Sequence, residues 1–492
     1  MILPALAPAL SVAVPLAAAF LAVVAPRPRL LVGVTVPAML AVMALAVLGV
    51  RQGGPLVLAV GGWEPPLGIA LVADGLSTAF LVATALTIGT VLVVALPQFP
   101  IRQNETRAGW AFWPLAFLLW AALNAVFLSG DLFNIYVAIE FVTLATLALV
   151  ALEGKAKQVE AAMRYAMFAL FGSLAYLLGV ALLYAAHGTL DIGLLAQLPA
   201  QDTASLVAAG LITAGLAAKT ALFPFHAWLP PAHAGAPAPA SAMLSALVPK
   251  ASFYVLLRFW FDAMPEAAGA IALQLLGALG ATAIVYGSIL AVRQNRLKQL
   301  VAYSTVAQIG YLFLVFPLAG GSAEPQPWTA GAWTGSVFHA VSHAFAKAAM
   351  FLAVGHAVLA AGHDRMSAMD GLTRRMPMTA FALGVSAVTL MGLPPSGGFT
   401  AKFLLLTAAF ASGQVLWAAI IVLGGVLAAA YLFRPLARAF LPDRGRYGTV
   451  PRAQQALPLA LAMLSVVLGI VSAAPYDFLQ TGRPAAAEEG LE

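Results

Sequence analysis

Residues 204–228 read ASLVAAGLITAGLAAKTALFPFHAW, an apolar run that contains Lys219 and reaches Pro224 near its end. A membrane-spanning helix needs about 20 consecutive apolar residues, and this run supplies them. An ammonium group at membrane depth costs roughly 3 kcal/mol on insertion scales, so chains rarely keep one there without a use for it. The stretch therefore predicts a spanning helix that is interrupted by a proline and carries a functional charge.

The composition of the whole chain points to the same class of protein. Hydrophobic residues make up 62% of the 492 residues and charged residues 9%, and the mean hydropathy is +0.94. These values exceed what a soluble core can bury, so we predict an all-α polytopic membrane protein with about 14 transmembrane helices. The helices are expected near residues 3–25, 30–50, 68–97, 110–128, 132–152, 160–186, 204–223, 238–260, 267–292, 298–318, 330–360, 377–411, 414–437 and 455–475.

The distribution of basic residues predicts how these helices are oriented, because cytoplasmic loops hold the excess of Lys and Arg. With the N-terminus outside, eighteen of the 25 basic residues fall in cytoplasmic loops and only Arg51, Arg258 and Arg483 fall outside. We therefore expect a multi-pass protein of the cell membrane with both termini outside. The first segment is not predicted to be a signal peptide, because Arg27 and Arg29 follow it.

Several classes of function are excluded by the same counts. The net charge is +6, but the basic residues are spread over the cytoplasmic loops, so no nucleic-acid partner is expected. The chain has no cysteine, which excludes disulfides and thiolate-held iron–sulfur clusters. Phosphate-binding glycine loops, HExxH and nucleophile-elbow motifs are absent from the sequence. We expect a transporter subunit without catalytic residues, metal or cofactor, so that any redox step belongs to a partner.

The chain is organised as one membrane domain over residues 1–492, without a long soluble insertion. Helices 4–8 and 9–13 form two five-helix blocks of opposite orientation, which is the arrangement of inverted-repeat transporters. The expected parts are three N-terminal helices, the first repeat, the second repeat, and the last helix with a short tail, at residues 1–109, 110–260, 261–440 and 441–492.

Each block contains a helix with a predicted break beside a lysine. In helix 7 the break is at Pro224, five residues after Lys219, and in helix 12 it precedes Lys402. The predicted breaking residues of helix 12 are Pro394, Pro395, Gly397 and Gly398. Broken helices at membrane depth are tolerated where they line a wet cavity.

Lys250, Lys347 and Lys402 also lie in apolar stretches, and Glu140 is the carboxylate found equally deep in such a run. At 4 Å and an effective dielectric constant of about 20, a carboxylate and an ammonium attract each other by roughly 4 kcal/mol. Separating Glu140 from Lys219 would therefore favour release of the lysine's proton. The alternatives are that the acid is protonated and inert, or that the lysines extend to the headgroup layer, which is difficult for Lys250 in mid-segment.

His339, His343 and Lys347, here called the histidine stripe, recur every fourth residue and so share one helix face over about 12 Å. A row of titratable groups favours a proton relay over histidines that only hydrogen-bond neighbouring helices. A metal site is disfavoured because further ligands are lacking. His226 and His233 are interpreted either as groups for proton uptake or as interfacial residues. Three more histidines are interpreted as structural or solvent-facing: His187, His356 and His363.

These residues match a known family. The chain resembles the antiporter-like subunits shared by respiratory complex I, membrane-bound hydrogenases and multi-subunit Mrp-type Na+/H+ antiporters, over nearly its whole length. The motifs that carry the resemblance are GDLFNIYVAIE at 130–140, PFHAWLP at 224–230 after Lys219, APAP at 236–239 before Lys250, the histidine stripe, and GLPP at 392–395 before Lys402.

Within this family the chain is most similar to the D subunit of Mrp-type antiporters, through GGWEPPLGI at 61–69 followed by DGLS at 74–77. The resemblance implies a proton path at mid-membrane, bridged by water. Glu140 and Lys219 would be a switchable pair, Lys250 the central carrier, the histidine stripe the relay and Lys402 the terminal exchange site. The implied partners are other membrane subunits of a hetero-oligomeric complex, and the implied ions are protons and Na+, K+ or Li+.

Two alternatives stay open at this point. In the first, the same channel belongs to a redox complex and is driven by electron transfer in a partner. In the second, the chain is a non-conducting scaffold whose buried charges only fix helix packing. The identity of neighbouring genes would distinguish the redox complex from the antiporter. Transport by a Lys250→Ala variant would distinguish the scaffold, which should still transport, from a proton carrier, which should not.

Overall fold

The computed structural model describes residues 2–101, 106–320, 326–442 and 448–482. Four of the basic residues used above to orient the helices lie outside the described residues: Arg102, Arg444, Arg446 and Arg483. Within the described ranges, thirteen helical segments are long and apolar enough to cross a membrane. The short apolar helices Pro377–Met391 and Gly397–Ala411 follow one another as the two halves of a fourteenth. The predicted all-α polytopic class is thus confirmed.

The spanning helices are numbered in chain order, with the two broken ones divided into halves a and b. They are α1 (Ala7–Val24), α2 (Pro28–Gly53), α3 (Gly75–Ala95), α4 (Arg107–Leu128), α5 (Leu132–Val150), α6 (Ala156–His187), α7a (Thr203–Thr220), α7b (Leu229–Gly235), α8 (Ala238–Leu257), α9 (Ala270–Arg293), α10 (Leu297–Phe313), α11 (Pro327–Ala361), α12a (Pro377–Met391), α12b (Gly397–Ala411), α13 (Val415–Ala439) and α14 (Arg452–Ile470). Short helical pieces occupy Ile2–Ala5, Val60–Gly62, Ile192–Leu195, Phe225–Trp228, Arg258–Ala263, Pro265–Ala267, Val315–Ala319, Met366–Met369, Leu372–Arg375 and Ala473–Gln480.

The prediction is wrong at the start of α3, which was expected near residue 68 and lies at residue 75. Residues 70–73 instead form strand β2 (Ala70–Ala73), which pairs antiparallel with β1 (Leu56–Ala59) in a hairpin between α2 and α3. The helix begins after Asp74, whose carboxylate accepts a hydrogen bond from the Ser77 amide at 2.8 Å. This reciprocal cap fixes the start of α3 after the strand, because it satisfies an otherwise unpaired helix N–H.

The two five-helix blocks repeat the same pairings: α4 packs on α5 and α6 on α7a in the first, and α9 packs on α10 and α11 on α12b in the second. Glycines allow two of these helix pairs to approach closely. A Cβ on Gly310 would lie 2.3 Å from the Gly280 oxygen, and one on Gly215 would lie 2.5 Å from the Gly172 oxygen. Small residues at such crossings are typical of membrane helix packing, where dispersion contacts replace the hydrophobic effect.

The centre of the protein is formed by α8 and α10. In their most apolar stretches of 18 residues, 100% and 94% of the residues are buried. Helix α11 packs against both of them. Helix α8 carries Lys250 and α11 carries the histidine stripe, so the fold places these predicted functional residues at its most enclosed point.

Helix 7 is interrupted, as predicted, but it continues to Gly235 instead of ending near residue 223. Helix α7a ends at Thr220, and Ala221 adopts a left-handed conformation with φ of 61°. A 3-10 turn at Phe225–Trp228 then leads into α7b. The Ala218 carbonyl beside the break accepts from the Ala221 amide at 3.2 Å and from Trp228 Nε1 at 3.0 Å, so it is satisfied inside the protein.

Helix 12 is interrupted as well, over residues 392–396. Gly392 has φ of 82° after the last turn of α12a, and the Ser396 side chain caps α12b by accepting from the Phe399 amide at 3.2 Å. Gly397 and Gly398 are the first residues of α12b, so they belong to the second half-helix and not to the interruption. Gly398 lets α12b lie close to α12a, since a Cβ at this position would lie 2.0 Å from the Thr389 oxygen.

Candidate functional site

The structure places Glu140 of α5 next to Lys219 of α7a. The Lys219 Nζ is 3.0 Å from Glu140 Oε1 and donates to Thr143 Oγ1 at 3.2 Å, while Ser173 Oγ donates to the same carboxylate oxygen at 2.5 Å. The lysine side chain is 5% exposed and the glutamate 30%. Lys219 also sits in the last turn of a half-helix, where the carbonyl ends of the helix favour a cation. The two groups therefore form a charged pair that neighbouring hydroxyls hold in place.

Lys250 lies inside α8, directly after Pro249, and is 1% exposed. Proline has no N–H, so it leaves the carbonyl four residues earlier without its helical partner. That carbonyl belongs to Ser245, and it accepts a hydrogen bond from Lys250 Nζ. The lysine is thus held by the carbonyl that the adjacent proline releases, which rules out the alternative that it extends to the headgroup layer.

Helix α10 joins Lys250 to the histidine stripe of α11. Ser245 Oγ and Thr305 Oγ1 are 2.8 Å apart, which links α8 to α10 beside Lys250. One residue earlier on α10, Ser304 Oγ accepts from Lys347 Nζ, which also donates to the Val301 carbonyl at 2.9 Å. Lys347 therefore contacts α10 directly, whereas Lys250 is connected to α10 through Ser245, and the two lysines lie within electrostatic range of each other.

The rest of the histidine stripe runs along α11 from Lys347 toward Gln308. His343 and His339 are each 1% exposed, and their rings stack with centroids 5.7 Å apart. His339 Nε2 is 3.1 Å from the Gln308 carbonyl of α10. His343 lies within electrostatic range of the other two stripe residues and of Lys250 and Lys402. The stripe therefore faces the protein interior along its full length.

Lys402 of α12b reaches back across the break in helix 12. Its Nζ donates to the carbonyls of Leu390 at 2.9 Å and Met391 at 3.3 Å, which are the last two residues of α12a. The ammonium also lies 4.1 Å from the centroid of the Tyr311 ring. Gln308 Nε2 donates to the same Leu390 oxygen at 3.1 Å, so Gln308 connects the histidine stripe to Lys402.

The two histidines near the break in helix 7 differ in position. His233 of α7b is 1% exposed, and its ring lies 5.0 Å from that of Phe351, one helical turn beyond Lys347. It is within electrostatic range of Lys347, Lys250 and Lys298. His226 instead packs between Phe223 and Tyr286. The structure brings His233 close to the predicted path, whereas His226 packs among aromatic rings away from its lysines.

Several buried polar atoms in this region have no hydrogen-bond partner among the residues that the structure describes. His339 Nδ1, His343 Nε2 and Gln308 Oε1 are buried without a protein hydrogen-bond partner. Buried polar atoms of this kind are normally satisfied by water. Groups of three or more His, Cys, Asp or Glu that could bind a metal do not occur in the part of the chain that the structure describes. The arrangement is suited to passing protons through side chains and water.

One junction of the predicted path is not made by side chains. Within the described residues, the hydrogen bonds of Lys219 and those of Lys250 do not meet, although α7a packs against α8. A water bridge is required there, because direct transfer needs hydrogen-bond contact.

Sequence reasoning missed the α10 side chains Ser304, Thr305, Gln308 and Tyr311. Single hydroxyls in an apolar helix are ambiguous, since many bond only to their own helix, as Thr305 also does to Val301 at 3.1 Å. Gln308 is the sole amide in the apolar run 301–318, and that signal could have identified it.

A second buried charge cluster was also missed. Arg258, which we assigned to an outer loop, is 13% exposed and contacts both Asp74 oxygens at 2.6 Å. It also contacts Asp262 at 2.7 Å. Asp74 caps α3 and Arg258 follows α8, so this cluster ties the start of α3 to the end of α8. Of the histidines interpreted as structural, His187 bonds to Ser205 at 2.7 Å.

Comparison with known proteins gives consistent relatives over the whole chain. The family described as NADH:quinone oxidoreductase/Mrp antiporter, TM, matches residues 129–428. The NADH-quinone oxidoreductase subunit N of Desulforudis audaxviator is 36% identical over 473 residues, covering 91% of this chain and 92% of the relative. The D subunit of the Na(+)/H(+) antiporter of Alkalihalophilus pseudofirmus is 29% identical, covering 92% and 90%. A chain of the Mrp complex from Dietzia sp. has a TM-score of 0.88 at 27% identity, covering 100% of this chain and 98% of that chain.

Proposed function

The chain belongs to the NADH:quinone oxidoreductase/Mrp antiporter transmembrane family, and on that premise we propose that it is the proton-translocating subunit of a multi-subunit monovalent cation/proton antiporter. It has no catalytic residues of its own in this proposal. Protons pass at mid-membrane along Glu140, Lys219, Lys250, the histidine stripe and Lys402, and water fills the gaps. His233 takes part in proton uptake.

One observation carries the proposal: the four membrane lysines are enclosed in the protein and each has a hydrogen-bond acceptor. Their exposures are 5% for Lys219, 1% for Lys250, 0% for Lys347 and 6% for Lys402. A scaffold needs no such row of ammonium groups, since each costs several kcal/mol at membrane depth. Ionisable side chains that line a water-accessible row are typical of proton relays.

The proposal also covers the partner subunits, the membrane orientation and the exchanged ion. The similarity to the D subunit of an Na(+)/H(+) antiporter and to a chain of the Mrp complex supports assembly with other membrane subunits in a hetero-oligomer of the cell membrane. We assign both termini to the outside, and Na+, K+ or Li+ as the exchanged ion. A membrane potential of 100 mV supplies about 2.3 kcal/mol per charge moved, which can drive proton uptake against cation export.

The test is a reconstitution of the native complex that contains this chain. In liposomes loaded with a pH-sensitive dye, a pulse of Na+, K+ or Li+ is expected to move protons in the opposite direction without any electron donor. The other chains of the complex, identified by mass, provide an independent check. Proton movement that appears only after addition of a reductant and a quinone would contradict the antiporter assignment.

That contrary result would support the second candidate, a proton-pumping membrane subunit of a redox-driven complex. The specific observation in its favour is the 36% identity to an NADH-quinone oxidoreductase subunit N. The proton path inside this chain would be the same in both cases, and only the source of energy would differ.

A Lys402→Arg variant tests the terminal exchange site. Arginine keeps the positive charge and can donate to the Leu390 and Met391 carbonyls, but it cannot release its proton at accessible pH. We expect an assembled complex whose cation-driven proton flux falls by about 100-fold, in the range of one positioned proton-transfer group. Undiminished flux in this variant would exclude proton exchange at residue 402. Lys157→Arg in the exposed first turn of α6 is the matched control and should transport normally.

A further inference from the structure

A cleft of about 580 Å³ opens at the end of the protein that the distribution of basic residues assigns to the cytoplasm. It is formed where the start of α10, the end of α11 and the loops after α3, α5 and α13 come together. Its polar lining includes Gln98, Glu153, Lys298, His356 and Gln454. The cleft is thus distinct from the mid-membrane groups described above.

His356 is the unusual residue of this cleft. It lies on α11 and is 2% exposed, yet neither Nδ1 nor Nε2 has a hydrogen-bond partner in the described protein. A buried imidazole with both nitrogens unpaired loses the free energy of those hydrogen bonds unless water supplies them. His356 borders a cleft that is large enough for several waters, and water held there is the candidate partner for the imidazole.

The carboxylate at the mouth is held in its charged form. Burial acts to raise the pKa of Glu153, but hydrogen bonds from Lys155 and Gln158 and the nearby charges of Lys155 and Lys298 lower the pKa overall. Glu153 lies 2.7 Å from Lys155 and accepts from Gln158 Nε2 at 2.9 Å. A charged carboxylate at the mouth can accept hydrogen bonds from water in the cleft.

The cleft adjoins the mid-membrane path through helix 7. Lys298 Nζ donates to the Ala236 carbonyl at 2.8 Å, just after the end of α7b. His233 of α7b is within electrostatic range of Lys298 and also of Lys250 and Lys347. His356 is nine residues beyond Lys347 on α11, which places it half a turn around the helix and about 13 Å along it.

We propose that this cleft is the cytoplasmic mouth of the proton path and that His356 is a relay residue within it. Protons enter by way of water held between Glu153 and Lys298, pass through the His356 imidazole, and reach the Lys347 end of the histidine stripe by way of His233. The imidazole accepts a proton on one nitrogen and releases one from the other, so it is returned to its starting charge after each transfer. This inference rests on the proposed function of the mid-membrane groups.

The first experiment measures cation-driven proton flux by complexes that carry His356→Gln. Glutamine can hydrogen-bond water in the cleft but cannot relay a proton, so we expect a flux at least about 10-fold below wild type. The matched control is His187→Gln at the outer end of α6, where flux should be unchanged. The amount of co-purified complex must be equal in both variants.

The second experiment uses the absence of cysteine from the chain. A His356→Cys variant is treated with a charged, membrane-impermeant thiol reagent from each face in turn, and modification of this chain is read as a mass shift. Modification from the cytoplasmic face alone is expected, whereas a His187→Cys control should react only from outside. Modification from the outer face, or none from either, would overturn the inference.

The two proposals fail separately. If Lys250→Met abolishes flux while His356→Gln transports at the wild-type rate, the cytoplasmic mouth is wrong and the mid-membrane path stands. If both variants transport at the wild-type rate, the proposed function itself is wrong.

Discussion

Replacement of Lys250 with methionine is expected to abolish proton flux while the complex still assembles. Methionine matches the length of the lysine stem but carries no proton, so the central carrier is lost. Two stability effects oppose each other: removal of a buried ammonium relieves about 3 kcal/mol, and the Ser245 carbonyl loses its donor at a cost of about 1–3 kcal/mol. Because they nearly cancel, we expect the melting temperature of the complex to stay within a few degrees of wild type.

The measurement for Lys250→Met is cation-driven dye quenching in proteoliposomes, together with the yield and melting temperature of the complex. Lys157→Met is the control, since Lys157 lies exposed in the first turn of α6 and belongs to no part of the proposed path. A variant that assembles and transports normally would favour the scaffold interpretation. Loss of assembly would be resolved with Lys250→Gln, which keeps a donor for the Ser245 carbonyl and is likewise expected to be inactive.

The Glu140→Gln variant is expected to lower proton flux by about 100-fold without loss of the complex. Glutamine keeps an oxygen that can accept from Ser173 and Lys219, so the local contacts are retained and only the charge is removed. The lost attraction is roughly 4 kcal/mol at an effective dielectric constant of about 20, which is enough to change the protonation of Lys219 throughout the cycle. Flux at several ionic strengths is the measurement, and wild-type antiport would refute the switchable pair.

Glu160→Gln is the matched control for this variant, because Glu160 pairs with Arg164 on the surface and is 72% exposed. Exposed pairs of this kind contribute about 0–1 kcal/mol, so its flux should be normal. The double variant of Glu140→Gln with Lys219→Ala adds a sharper criterion. Residues that act as one unit are non-additive, so the double variant should be hardly slower than the slower single variant.

Much of the fold could be predicted because the bilayer imposes a strong pattern. Runs of about 20 apolar residues identified the spans, and the proline motifs identified both interrupted helices. The start of α3 was wrong because the apolar residues 70–73 satisfy a strand as well as a helix, and the Asp74 cap decided between the two. The end of helix 7 was wrong because Pro224 interrupts a helix without ending the span.

In the candidate site, too, some residues could be identified from the sequence and others could not. The lysines, the histidine stripe and Glu140 were evident because an ionisable group in an apolar run is costly. The structure encloses the lysines and the stripe, while Glu140 stays 30% exposed. Ser304 and Gln308 were not evident, since their importance depends on which helix they face. Arg258 was placed in a loop for the same reason: the sequence does not show that Asp74, far away in the chain, approaches it to within 2.6 Å. The roles of these residues in transport stay predictions.

The carbonyl that Pro249 sets free has a consequence for reversibility. Lys250 donates to a neutral carbonyl and not to a carboxylate. When the lysine releases its proton, no unpaired negative charge is left beside it to draw the proton back. A dipole also holds an ammonium less tightly than a full opposite charge does. Proton transfer through Lys250 is therefore not opposed by a fixed negative charge, and this residue can pass protons in either direction according to the gradient.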